Sequence, residues 1–476
     1  MSVPYSSSAE QDFTRLCGLL KEAGALGDAV AEIQATNTQA TGDLEADRIA
    51  HGAHWAAVDG LRRTLGGPFQ RDAASAAAIL ALRDHACRSR SRFLERHAEG
   101  LYDAITGGRT RLMRIEALIA EAGTRVPGLV PSDDDLAFEA GRRQGEKCGF
   151  EMHQGILLSH WFRDRAIGRH ICHAMLLPRP ESLERYAEYD ATGRLDLGKA
   201  SVERQGAAAI VTLRHPETLN AEDDTTLAPL EIAADLALLD PGTQICVLRG
   251  SPVDHPKYAG RRLYGAGINL TKLYWGEVSY LFYVIRDLGF ANKMFRGLAR
   301  PDRSPTEIAG GTREKMWISA LEGFAIGGGC QLLLVSDYVI AEAGSYMTLP
   351  ARKEGIIPGA ANMRLPRFVG DRVARQAIMY GRRLDAESPE GRMICDEIAP
   401  VGGMDAALDT VIDGLTSSGV VSAEGNRRVM RAVHEPLDMM IDYYAAYFRE
   451  QAYCHFSPAL SANLEQHWNA HNRSVA

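Results

Sequence analysis

Residues 321–331 read LEGFAIGGGCQ, and the three consecutive glycines between two apolar runs constrain this chain more than any other stretch. The preceding segment 316–321 (MWISAL) is short, apolar and β-leaning, while 330–335 (CQLLLV) suits the first turns of a helix. The glycines therefore predict a strand-to-helix turn whose backbone comes very close to something. Exposed N–H groups at a helix start favour developing negative charge, so a carbonyl oxygen turning into an oxyanion is a natural guest. The same residues also suit a tight helix–strand crossing with no ligand.

A second glycine turn bears on that choice. Residues 264–270 read YGAGINL, after a predicted strand at 244–249 (QICVLR) and before a predicted helix. Two such turns supply two backbone amides, a two-pronged hole. Together, YGAGINL, EGFAIGGGCQL, Asp337 and the later Ile357-Pro358-Gly359-Ala360 resemble the crotonase superfamily, also called the enoyl-CoA hydratase/isomerase family. Its signature is a loop like F-x-A-G-A-D-L followed by N-G-x-A-x-G-G-G-x-E-L. The resemblance spans residues 201–476. It implies an α/β spiral of ββα turns, a CoA thioester as substrate, and a hole formed by the amides of Ile268 and Gly328.

Composition bounds the rest. A chain of 476 residues with 46% hydrophobic and 24% charged residues is globular, with room for two or three domains. A net charge of −8 argues against a nucleic-acid surface. The eight cysteines show no CxxC pairing and read as reduced thiols. The opening MSVPYSSSAEQDF has neither a basic nor an apolar leader region, and the uncharged run 323–336 is too short for a membrane span, so a cytoplasmic chain without a membrane partner is expected.

Residues 8–177 are rich in Ala, Leu and Arg at helical spacing, which predicts an all-α N-terminal domain. Arg83, Arg88, Arg90, Arg92 and Arg96 suit either an anion patch or an ion-paired helix face. Ser132 is a predicted N-cap before the acidic turn 133–135. Pro178 and Pro180 open a polar connector, so the domains are expected at 1–200 and 201–476. Beyond it, strand 207–214, helix 224–239 and strand 244–249 alternate as in a mostly parallel sheet. A long aromatic-rich helix is expected over 271–298, with Arg286 amid its apolar run and Asp287 pointing elsewhere on the helix.

In hydratases of the superfamily one glutamate closes the G-G-G-x-E motif and a second lies twenty residues on. Here those positions hold Gln331 and Ala351. An amide is no proton shuttle near neutral pH, so hydration is expected to be disabled while the hole remains. Such a site suits a thioester whose α-proton is already acidic. A crotonase domain without its glutamates behind a helical domain, with the closing stretch 451–473, is similar to the branch of cofactor-independent dioxygenases acting on dihydroxylated arylacetyl-CoA in glycopeptide-antibiotic assembly.

That resemblance implies O₂ as co-substrate, no metal or organic cofactor, and a homo-oligomer, trimer or hexamer. It places Glu222, Arg286 and Gln331 around ring hydroxyls, and Trp317 with Ile268 along an O₂ pocket. His255, Lys257, Tyr258, Ala266 and Asn269 would meet the CoA moiety. Read from the residues alone, Glu222 also suits an acidic helix start, and the charges of 254–262 suit ordinary surface. His51 with His54, and His170 with Cys172 and His173, make no convincing metal set. Isomerisation or thioester hydrolysis with a base such as Glu222 or Glu354, and non-catalytic acyl-CoA binding, stay open as alternatives.

Overall fold

The computed structural model describes residues 9–25, 27–305 and 311–474. The opening residues 1–8, part of the stretch behind the leader expectation, lie outside the described residues. The chain divides into two compact units. One comprises Met1–Gly168, Tyr274–Tyr280 and Tyr444–His471, and the other Arg169–Leu273, Leu281–Tyr443 and Asn472–Ala476.

The first unit is helical. Leu16 and Leu20 of helix Ala9–Glu22 pack with Ile33, Val58 and Leu82 in one apolar cluster, as the helical spacing predicts. Ser132 caps helix Asp133–Glu139 through a reciprocal box with Asp135. The arginines divide between burial and surface. Arg83 donates to the carbonyls of Lys147, Cys148 (2.8 Å) and Phe456 (2.9 Å), and Arg90 to Asp59 (2.5 Å) and Gly128 (2.8 Å). They are internal crosslinks, neither an anion patch nor a solvated face, because backbone carbonyls consume their donors.

The boundary expected near residue 200 falls at 168/169 instead. The connector joins the second unit because Asp235 accepts from the Arg179 backbone (2.7 Å) and Ser182 hydroxyl (2.7 Å), and Asp240 accepts from Tyr189 (2.9 Å). The closing residues 444–471, expected with the catalytic domain, belong to the helical unit. There Phe162 meets Phe448 edge-on at 4.9 Å, and Tyr280 donates to the Phe448 carbonyl at 2.7 Å.

The second unit is built on strands β1 (Arg194–Asp196), β2 (Ala200–Gln205), β3 (Ala208–Leu213), β4 (Ile245–Gly250), β5 (Met316–Leu321), β6 (Phe324–Ile326), β7 (Tyr338–Glu342), β8 (Tyr346–Thr348), β9 (Leu384–Asp385) and β10 (Glu397–Ala399). Seven form a sheet in the order β1-β2-β3-β4-β5-β7-β10, antiparallel through β3 and parallel from there on. A small second sheet runs β6-β8-β9. β3, β4 and β5 bury nearly every residue, as expected of parallel strands covered on both faces. Helix Asp224–Leu239 crosses from β3 to β4, with Asp223 as its cap.

The single helix expected over 271–298 is broken into Leu270–Tyr274, Tyr280–Arg286, a π-turn Asp287–Ala291 and Asn292–Arg296. Gly276, at φ 74°, falls in the first break. Among the described residues no helix is long and apolar enough to cross a membrane.

Candidate functional site

The two glycine turns lie against each other at the C-terminal ends of parallel strands. They zip together: Gly265 donates to the Phe324 carbonyl (3.3 Å), and the Ile326 N–H donates to Gly265 (3.0 Å). Gly267 has φ 76°, and a Cβ there would sit 2.6 Å from the Ile326 oxygen and 2.9 Å from the Gly328 nitrogen. Only glycine fits both the conformation and the space. Backbone bonds between Glu222 and Gly267 (2.7 Å) and between Asn269 and Glu222 (2.8 Å) straddle Ile268. The Ile268 N–H itself reaches no carbonyl among the described residues. Gly328 opens helix Gly328–Leu333, so its N–H has no intrahelical acceptor. Two unengaged amides on abutting turns are what a thioester oxygen gaining negative charge would take.

Beside this pair stands a buried polar cluster. Arg286, from the end of its helix, donates to Glu222 twice (Nε to Oε2 at 2.6 Å, Nη2 to Oε1 at 2.8 Å), to Gln331 Oε1 (3.0 Å), to the Gly328 carbonyl (2.8 Å) and, at 3.4 Å, to Asp287 Oδ1. Glu222 does not serve as an acidic helix start. Asp223 takes the cap and the Glu222 carboxylate turns to the guanidinium. The reading of Asp287 as pointing elsewhere is overturned, because its Oδ1 lies 3.4 Å from Arg286 Nη1.

Gly359 seals the cluster. A Cβ on it would lie 2.5 Å from Gln331 Oε1 and 2.8 Å from Asp287 Oδ2, and its carbonyl accepts from the Tyr443 hydroxyl. Burial, with the Asp287 charge nearby, raises the Tyr443 pKa, so its phenol stays protonated and donates. Asp287 and Tyr443 were not among the expected site residues.

The second hydratase position, Ala351, is buried at the start of helix Ala351–Glu354. Three residues on, Glu354 is 7% exposed, and burial lifts its pKa to about 7 with no cation or donor facing it among the described residues.

The expected CoA residues are gathered in part. His255 and Tyr258 pack at 5.7 Å, Lys257 lies over the Tyr258 ring at 5.0 Å, and Ala266 joins Tyr258 on the apolar cluster of Val253, Leu263 and Phe324. Asn269 differs: its buried amide is engaged by Asp223 (3.3 Å) and by the Lys272 backbone (3.2 Å). Trp317 is fully buried opposite Cys246, near the start of β5, four positions before the strand's last residue Leu321. No described contact joins it to Ile268. Its indole N–H has no partner among the described residues.

Elsewhere, His54 pairs with His85 at 2.8 Å. Among the described residues no group of three or more His, Cys, Asp or Glu is arranged to hold a metal.

The enoyl-CoA hydratase/isomerase family model matches residues 309–450. The chain is 42% identical to a (3,5-dihydroxyphenyl)acetyl-CoA 1,2-dioxygenase of Amycolatopsis orientalis over 81% of its own length and 86% of that protein's. It is 28% identical to a probable enoyl-CoA hydratase of Rhizobium meliloti over 44% of this chain and 71% of the relative. A solved carnitinyl-CoA hydratase from Mycobacterium avium aligns at 23% identity and a TM-score of 0.47, covering 59% of this chain and 99% of that one.

Proposed function

The chain belongs to the enoyl-CoA hydratase/isomerase (crotonase) superfamily, and from that membership we propose that it is a dioxygenase converting 3,5-dihydroxyphenylacetyl-CoA and O₂ to 3,5-dihydroxyphenylglyoxylate and CoA. The observation that carries this reading is the coexistence of two abutting amide turns with Gln331 and Ala351 at the hydratase positions, beside a cluster able to hold ring hydroxyls. The extensive identity to the Amycolatopsis dioxygenase supports it.

In this reading the Ile268 and Gly328 amides receive the thioester oxygen as the α-proton leaves, and the enolate forms. A single such donor is worth about 100- to 1000-fold in rate. The enolate transfers an electron to O₂, a C–O bond forms at the α-carbon, the peroxide attacks the thioester carbonyl and displaces CoA, and cleavage of the O–O bond with loss of the remaining α-proton leaves the α-keto acid. Glu222, Arg286 and Gln331 orient the ring, and His255, Lys257, Tyr258 and Ala266 contact the CoA moiety. Ile268 lines the O₂ path, with Trp317 assigned there on resemblance alone. No metal or organic cofactor is invoked, and the protein acts as a cytoplasmic homo-oligomer.

Oxygen uptake by metal-free protein with this thioester tests the proposal. Absence of uptake, or its abolition by chelators, would overturn it. One observation favours a second reading, enolate chemistry without oxygen: Glu354 is a buried, uncompensated carboxyl near its neutral-pH midpoint, the profile of a general base. CoA release or double-bond migration under argon would establish that alternative.

A further inference from the structure

We infer that Tyr264, Ser319 and Ser336 are positioning residues for the reaction, a hydroxyl chain that holds the two amide-bearing turns in fixed relation to each other. The inference rests on the two-amide reading above and deepens it by naming what sets the geometry of the hole.

Ser319 lies in the middle of β5, on the face that also carries Trp317 and Leu321 into the apolar core. It is fully buried there, a hydroxyl on the side of the sheet where Leu248, Leu332, Leu333 and Val335 pack. Its Oγ stands 2.7 Å from the Tyr264 phenol oxygen and 2.6 Å from Ser336 Oγ, and Ser336 Oγ lies 3.0 Å from the Leu332 carbonyl oxygen. Three hydroxyl protons serve these three contacts. The Leu332 carbonyl only accepts, so Ser336 donates to it; Ser319 then donates to Ser336, and Tyr264 to Ser319. Burial, with the Glu222 charge adding to it, raises the Tyr264 pKa, so the phenol keeps the proton that starts the chain.

The ends of the chain sit on the two turns. Tyr264 opens the turn YGAGINL, four residues before Ile268, and its own N–H donates to the Glu322 carbonyl (3.0 Å). Leu332 and Ser336 lie at and just beyond the end of helix Gly328–Leu333, whose first residue supplies the other amide. That helix has six residues and closes few internal hydrogen bonds, so its axis is set by what holds it from outside. Its front is fixed by the bonded pair of turns, where a Cβ on Gly329 would stand 2.9 Å from the Gly265 oxygen. Its far end is fixed by the hydroxyl chain, to β5 and through Tyr264 to the same turn. With both ends tied, the Gly328 N–H does not swing independently of the Ile268 N–H. Apolar side chains would fill this part of the core without any hydrogen-bonding requirement. What the hydroxyls add is one defined arrangement, since a fully satisfied buried network is rigid.

The test reads the hole directly. Phenylacetyl-CoA labelled with ¹³C at the thioester carbonyl is bound under argon to wild type, Tyr264→Phe, Ser319→Ala and the double variant. Raman difference spectroscopy follows the carbonyl stretch, beside oxygen-uptake kinetics with 3,5-dihydroxyphenylacetyl-CoA. Wild type should lower the stretch, because two donors polarise the carbonyl. Tyr264→Phe and Ser319→Ala should each forfeit much of that lowering and about tenfold in kcat, a part of the roughly 100-fold that loss of a whole donor costs, while thioester binding changes by less than about threefold. The double variant should lose no more than Ser319→Ala, since one missing link already opens the chain. Ser336→Thr, which keeps the hydroxyl, should restore most of what Ser336→Ala loses. A full lowering of the stretch in Tyr264→Phe would overturn the inference, and so would fully additive losses in the double variant. Should Ser319→Ala fail to fold, Tyr264→Phe, which removes a single oxygen, decides alone. An unshifted stretch in wild type would bring down the two-amide hole and this inference with it. A lowered stretch without oxygen uptake would bring down only the dioxygenase reading.

Discussion

At the scale of single residues, the site depends on what glycine lacks. A Cβ at Gly328 would stand 2.6 Å from Glu222 Oε1 and 3.0 Å from Arg286 Nη2. Gly328→Ala should therefore displace the ion pair and the amide together, lowering kcat by about 100-fold, as loss of one hole donor does, with acetyl-CoA binding largely kept. Steady-state oxygen uptake measures it. Arg286→Ala leaves Glu222 and Asp287 buried without their cation, which should cost about 3–5 kcal/mol in urea unfolding. The Glu222→Gln/Arg286→Met/Asp287→Asn triple variant should recover much of that loss, because none of the three charges remains inside. Arg286→Ala should also weaken discrimination for the dihydroxylated ring more than it weakens CoA binding. These residues were legible to different degrees. Arg286 was conspicuous as a charge amid aromatics, whereas Asp287 was misread because adjacent helical positions were taken to keep their side chains apart, while its carboxylate reaches the guanidinium.

At the scale of elements, local patterns translated well where local forces dominate. Helix Asp224–Leu239 and strand β5 match the sequence reading residue for residue, since a capping aspartate and a continuous apolar run act over short range. The aromatic stretch did not, because its breaks answer to neighbours far along the chain. Gly289 illustrates this. The π-turn packs it against Glu231, which with Asp235 holds the fully buried Lys293 at 2.8 and 2.6 Å. Gly289→Ala should push on this triad and cost about 1–3 kcal/mol by overpacking, read as a shift in the urea midpoint at unchanged slope.

At the scale of the whole molecule, the helical unit carries a titration liability. Burial, reinforced for His54 by the Arg90 charge, holds His54 and His160 at about 4 and His85 and His455 at about 3, against 6.5 for a free imidazole. Above pH 6.5 these rings are neutral whether the chain is folded or not. As the pH falls from 6.5 towards 4, the unfolded chain takes up protons that these four folded-state rings refuse, so they subtract stability across that window, offset in part by Glu354, whose raised pKa acts in the opposite direction. Urea midpoints at pH 7.5 and 5.0 should differ accordingly, and His54→Phe should reduce the difference. A midpoint that does not move between those values would contradict the burial of these imidazoles.

Sequence alone determined the glycine turns, the parallel strand–helix alternation and the absence of the hydratase carboxylates, because positive φ, apolar runs and residue identity are properties of short segments. Tertiary structure decided which side chains meet: Glu222, Arg286, Asp287, Gln331 and Gly359 converge from separate elements. It also decided that residues 274–280 and 444–471 fold with the helical unit rather than with their sequence neighbours. Such meetings depend on strand register and on where the aromatic stretch breaks, and those are settled by packing across the molecule rather than by the residues on either side.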